Sequence, residues 1–146
     1  MAPHTERWVP KVSLRKESNE TVLFFAIDEM ANKSSAFRQD LGLEGKICDL
    51  IVFFSDTRRN EKILCLVELK RGDEDDSVEK IDNTCKILES KFDGKHLERI
   101  KLKAYIHTMG GSHRDTKKFR AELTKKFGKN GSDISGNEDM GRFLRN

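Results

Sequence analysis

Two periods of apolar residues run along this chain, and the switch between them marks its elements. The densest apolar stretch, Ile47 to Gly72, divides into ICDLIVFF and KILCLVELK, separated by a polar turn. Side chains alternate across a strand, so Leu64, Leu66, Glu68 and Lys70 share one face, while Cys65, Val67 and Leu69 share the other. Both faces stay apolar until the charges arrive, which predicts two strands in the middle of a sheet. Ionised groups at the end of a buried strand are costly unless paired or bound to metal. Asp49, Glu68 and Lys70 are therefore the first candidates for chemistry.

Upstream, residues 1–10 carry both prolines and the single tryptophan without periodicity and read as an N-terminal arm. Lys11 to Lys16 alternates weakly, ESNE forms a turn, and Thr21 to Ile27 is rich in aromatic and β-branched residues, which favours a β-hairpin. A helix over Glu20 to Ala31 is the alternative, since short apolar runs are not settled by periodicity. A short helix over Ser35 to Leu41, closed by Gly42, is expected in the connection that follows.

Downstream, Ser77 is the expected N-cap of a helix whose Val78, Ile81, Cys85, Leu88 and Phe92 recur at spacings of three and four. Arg99 to Thr108 then sets Ile100, Leu102, Ala104 and Ile106 against Arg99, Lys101, Lys103 and Tyr105, the pattern of a strand near a sheet edge with an exposed basic face. A second helix begins at Ser112, with Phe119, Leu123 and Phe127 on one face, and Gly128 stops it. This succession predicts an α/β fold with a central mixed β-sheet flanked by helices. The domain is expected over 11–128, followed by a polar C-terminal segment, 129–146, in which only Met140, Phe143 and Leu144 can dock.

A length of 146 residues suits one domain. The net charge is only +3 although 36% of residues are charged, so the distribution of charge matters more than its total. No apolar run approaches the roughly 20 residues of a membrane span, and no signal-peptide pattern opens the chain, so no membrane association and a cytoplasmic location are expected. Cys48, Cys65 and Cys85 stand singly in apolar runs and read as reduced core residues. The four histidines lack the spacing of a zinc site, so a metal here would be held by oxygen.

A phosphodiester resists hydrolysis because its anionic oxygens repel hydroxide and its alkoxide leaves poorly; a divalent cation relieves both. Mg²⁺ prefers carboxylate oxygen and keeps several waters, so two carboxylates from neighbouring strands, with a backbone carbonyl, suffice to hold it. Asp49 and Glu68 are those two acids. Lys70, on the same face as Glu68, is placed to orient a nucleophilic water and to offset transition-state charge.

An acid in one apolar strand (Asp49 in ICDLIVFF), E-x-K ending the next (Glu68-Leu69-Lys70 in CLVELK), then a helix and another strand resemble the PD-(D/E)XK nuclease superfamily. The resemblance spans about Val22 to Thr108, and its specific part is three residues. It implies a restriction-endonuclease-like core and a nuclease dependent on Mg²⁺ or Mn²⁺, endonucleolytic rather than exonucleolytic. By the same resemblance Asp49 and Glu68 are metal ligands, the Leu69 carbonyl a further ligand, and Lys70 the catalytic lysine. Cys48 stands where many members have proline. Many members also supply a further acid from an N-terminal helix, for which Glu20 and Glu29 are the candidates.

Between Lys95 and Lys129 there are eleven Lys or Arg against three acids, whereas Gly72 to Asp93 holds eight acids against three lysines. The basic segment predicts a salt-sensitive grip on nucleic acid, DNA favoured over RNA, through Lys101, Lys103, Lys117 and Lys118. The Gly110 to Arg114 segment ahead of the second helix offers backbone N–H groups for one phosphate, with His113 and Arg114 as side-chain candidates. No aromatic interleaving points to base stacking. The alternative expectation is a catalytically inactive nuclease-like module that binds nucleic acid or a protein partner. A homodimer, or membership of a larger complex, is compatible with either.

Overall fold

The computed structural model describes residues 13–27, 39–71, 76–92, 99–109 and 116–146. Among them the chain forms five strands, β1 (Glu20–Ala26), β2 (Leu50–Asp56), β3 (Glu61–Arg71), β4 (Lys101–Met109) and β5 (Ser132–Ser135). Three helices accompany them: α1 (Ser77–Lys91), α2 (Thr116–Phe127) and α3 (Gly141–Arg145). The strands lie in one mixed sheet in the order β1-β2-β3-β4-β5. The first two pairings are antiparallel, and β3–β4 and β4–β5 are parallel. This is the α/β architecture with a central mixed sheet that the apolar periods predict.

The two central runs are strands because their side chains find apolar cover on both faces. On one face Ile51, Leu66, Ala104 and Ile106 pack against Ile81, Cys85 and Leu88 of α1 and Phe119 and Leu123 of α2. On the other, Val52, Cys65, Val67 and Tyr105 pack against Met140 and Leu144, with Leu14 and Phe143 at the margin. All three cysteines are free and buried, and burial raises each thiol's pKa. No helix among the described residues is long and apolar enough to cross a membrane.

Several expectations are corrected. Thr21 to Ile27 is a strand rather than a helix, but it is not the second arm of a hairpin with Lys11 to Lys16. Its partner is β2, in a register from Glu20↔Asp56 to Ala26↔Leu50, while Ser13 bridges Asp139. Ser77 is not the N-cap. The Asp76 carbonyl already accepts the Lys80 N–H at 3.0 Å, which starts the helix one residue earlier and turns the Ser77 side chain inward. Of the short helix expected before Gly42, the described part is Gln39–Asp40, and Gly42 closes it at φ 66°. Gly128, at φ 84°, ends α2 in the left-handed conformation that glycine adopts at least cost.

The larger corrections concern β4 and the C-terminal segment. β4 is the next-to-last strand, between β3 and β5, and its basic face is exposed only at its start, at Lys101. Lys103 is fully buried and donates hydrogen bonds to the carbonyls of Phe143 (2.8 Å) and Asn146 (3.1 Å), with its ammonium 4.8 Å from the Phe143 ring centre. Residues 129–146 are thus part of the fold: they supply β5, paired from Ala104↔Ser132 to His107↔Ser135, and a helix that covers the second sheet face.

Candidate metal and nuclease site

Topology brings chemistry to one end of the sheet. β3, β4 and β5 run parallel and are joined through α1 and α2, which pack on the same face, so the carboxyl ends of these strands and the helix N-termini meet at that end. Open α/β sheets bind ligands outside the carboxyl ends of their strands, and helix N-termini favour anions there.

Asp49 enters this end at the start of β2. Its position is fixed from three sides: its carbonyl accepts the Ile27 N–H at 3.0 Å, and the preceding Cys48 N–H donates to Thr84 Oγ1 of α1 at 2.9 Å. Its own Oδ2 accepts the Leu69 N–H at 2.7 Å. In the ladder Leu50 faces Val67, so the residue before Leu50 faces Glu68. Asp49 and Glu68 thus lie opposite each other on the helix-covered face, and Lys70 follows two residues along that face of β3. The Leu69 carbonyl, directed to the same side of its strand as the Leu69 N–H, points towards Asp49.

Glu68 is completely buried. Burial is the largest cause of a carboxyl pKa raised far above its usual range, followed by the negative charge of Asp49 and close contact with its carboxylate. The Lys80 ammonium of α1 lies 3.2 Å from Glu68 Oε2 and acts against that rise. Lys80 thus pairs with Oε2, while Glu68 Oε1 is buried without a hydrogen-bond donor among the described residues. Burial lowers the Lys80 pKa, but Glu68, Asp76 and Asp49 together outweigh it and raise the net value. Lys70 is also buried, opposite Thr108 of β4.

Two adjacent carboxylates, one with open buried lone pairs, fit a hard cation bound by oxygen. Among the described residues no group of three or more His, Cys, Asp or Glu side chains is placed to hold a metal ion, so Asp49 and Glu68 stand as a pair. Glu20 is not the additional acid. It sits at the far end of β1, about 20 Å from Asp49 by strand rise. There it accepts two 2.7 Å hydrogen bonds from Arg145, which draw its pKa down to about 2. Glu29 lies outside the described residues, as do His113 and Arg114.

Of the basic candidates, Lys117 and Lys118 are exposed at the start of α2, at the same end as the carboxylates. Lys101 is exposed at the opposite end, across from Ile63, and Lys103 is enclosed, so neither flanks the site. Part of the basic excess is internally matched, because Arg120 pairs with Asp133 at 3.2 Å and Lys126 with Asp82. Lys80 is the residue that sequence reasoning missed. Its signal was the polar stripe Ser77, Lys80, Thr84, spaced three and four along the margin of the apolar helix face.

No family model matches the chain, and neither the curated proteins nor the solved structures yield a match.

Proposed function

We propose that the chain is a divalent-metal-dependent nuclease that hydrolyses phosphodiester bonds in DNA, built on a restriction-endonuclease-like core. The observation that carries this reading is the buried Glu68 carboxylate, its Oε1 without a donor, packed against the Asp49 carboxylate one residue pair beyond the end of the β2–β3 ladder. Support also comes from the order of elements: an acid at the start of one strand, E-x-K closing its antiparallel neighbour, then a helix and a parallel strand. Asp49, Glu68 and the Leu69 carbonyl would hold Mg²⁺ or Mn²⁺. When bound, the ion would screen the phosphate, acidify water and ease departure of the leaving oxygen.

The chain's own residues do the rest. The Leu69 N–H orients the Asp49 carboxylate. The apolar walls around Glu68 exclude bulk water and strengthen each charge interaction. Lys70, two residues along the same face, orients the attacking water and stabilises the extra negative charge on the phosphate as the bond breaks. Lys117 and Lys118, beside the N-terminus of α2, receive the flanking phosphates.

One observation favours a second reading. The Lys80–Glu68 ion pair supplies charge compensation without a metal, as an inactive nucleic-acid or protein-binding module would need. A cleavage assay on linear and circular DNA separates the two. The nuclease reading expects Mg²⁺- or Mn²⁺-dependent cleavage that falls a hundredfold or more, about 3 kcal/mol, in Asp49→Asn, Glu68→Gln and Lys70→Met. Metal-independent binding without cleavage by the wild type would support the module.

A further inference from the structure

Lys80 stands in an unusual relation to the carboxylate pair. Its ammonium lies 3.2 Å from Glu68 Oε2 and 3.8 Å from Asp76 Oδ1, and its side chain is 21% exposed against 0% for Glu68. We propose that Lys80 is the internal counter-cation of the Asp49–Glu68 pair, which occupies the cation position in the metal-free protein and moves to Asp76 when a divalent ion enters. The inference rests on the reading of this pair as a metal site and adds how that site is gated.

Three features lead to it. Mg²⁺ requires oxygen at about 2.0–2.1 Å, and an ammonium at its present distance from the same carboxylate would face that ion at close range with like charge. The two cations therefore exclude each other. Next, the Lys80 side chain is partly exposed while Glu68 is fully enclosed, so the ammonium has a way out towards solvent. Finally, departure has a destination: Asp76 is one helical turn towards the N-terminus, 31% exposed, and already within ion-pair range. A lysine's flexible four-carbon stem permits such a move, whereas an arginine would grip the carboxylate with its rigid fork. Metal binding is then an exchange of cations at Glu68.

Mn²⁺ titration of the full chain, followed by electron paramagnetic resonance of the free ion, tests this directly. Lys80→Met is expected to bind Mn²⁺ about tenfold more tightly than wild type, and Lys80→Arg, which keeps the charge, several-fold more weakly. Lys46→Met controls for net charge, because Lys46 is exposed and pairs with Glu79 at 3.5 Å; it is expected to change affinity by less than about twofold. Unchanged or weaker binding in Lys80→Met, or unchanged binding in Lys80→Arg, overturns the exchange. The double variant Asp49→Asn/Glu68→Gln separates the two levels: if it binds Mn²⁺ as wild type does, the metal-site reading itself falls. If it loses binding while Lys80→Met is no tighter, only the gating role of Lys80 falls.

Discussion

Asp49 Oδ2 accepts the backbone N–H of Leu69 at 2.7 Å, so the acid at the start of β2 is positioned by the middle residue of the E-x-K segment in β3. One hydrogen bond thereby sets both carboxylates side by side. Asp49→Ala would leave the Leu69 N–H without this acceptor, at a cost of about 1–3 kcal/mol. Asp49→Asn keeps an acceptor and removes the like charge beside Glu68, so it is expected to be neutral or stabilising in the metal-free protein. Urea unfolding of both variants without metal checks this, and a greater loss in Asp49→Asn than in Asp49→Ala would contradict it.

Glu20 and Arg145 make the acid limit of the fold readable. The Glu20 pKa falls from 4.5 to about 2 in the folded chain, chiefly through hydrogen bonding to Arg145. The unfolded chain therefore binds this proton first as pH falls. The pair's contribution is complete above 4.5 and disappears as pH drops through about 2. Glu20→Gln is expected to be less stable than wild type at pH 6, by about 1–2 kcal/mol, with the difference shrinking towards pH 2. Unfolding midpoints across that range provide the check.

Lys103 ties the C-terminus to the sheet. Lys103→Met would keep the stem's packing but leave the Phe143 and Asn146 carbonyls without their ammonium donor, costing about 1–3 kcal/mol. Hydrogen exchange is expected to show the loss at residues 140–146 first, with DNA affinity unchanged in protein that remains folded. A selective loss of DNA affinity would instead return Lys103 to the binding surface.

Lys117 and Lys118 carry the phosphate prediction. Their double alanine variant should weaken binding to DNA of any sequence and reduce the slope of log affinity against log salt by about 2. Lys101→Ala, at the far end of β4, should leave the slope unchanged. Fluorescence anisotropy at several salt concentrations measures both.

What was legible in the sequence was whatever rested on local period. Leu50–Asp56, Glu61–Arg71, Ser77–Lys91 and Thr116–Phe127 each carry enough apolar residues at the right spacing to declare an element and its buried face. Glu68 and Lys70 were visible as charges inside the second of those runs, and Asp49 as the acid directly before the first. The rest depended on partners distant along the chain. The SDIS strand has one buried apolar residue, Ile134, and owes its conformation to β4. Lys103 is buried because carbonyls 40 and 43 residues away accept its protons, and Glu20 is claimed by an arginine 125 residues away. Lys80 stands out locally only as part of a polar stripe with Ser77 and Thr84, and only the fold carries β3 beneath it.

Anomalous diffraction from crystals grown with Mn²⁺ tests the central claim most directly. The account predicts one strong peak about 2.2 Å from carboxylate oxygens of both Asp49 and Glu68, with the Leu69 carbonyl in the coordination shell. Absence of a peak there at saturating Mn²⁺, with Lys80 still on Glu68, would contradict it.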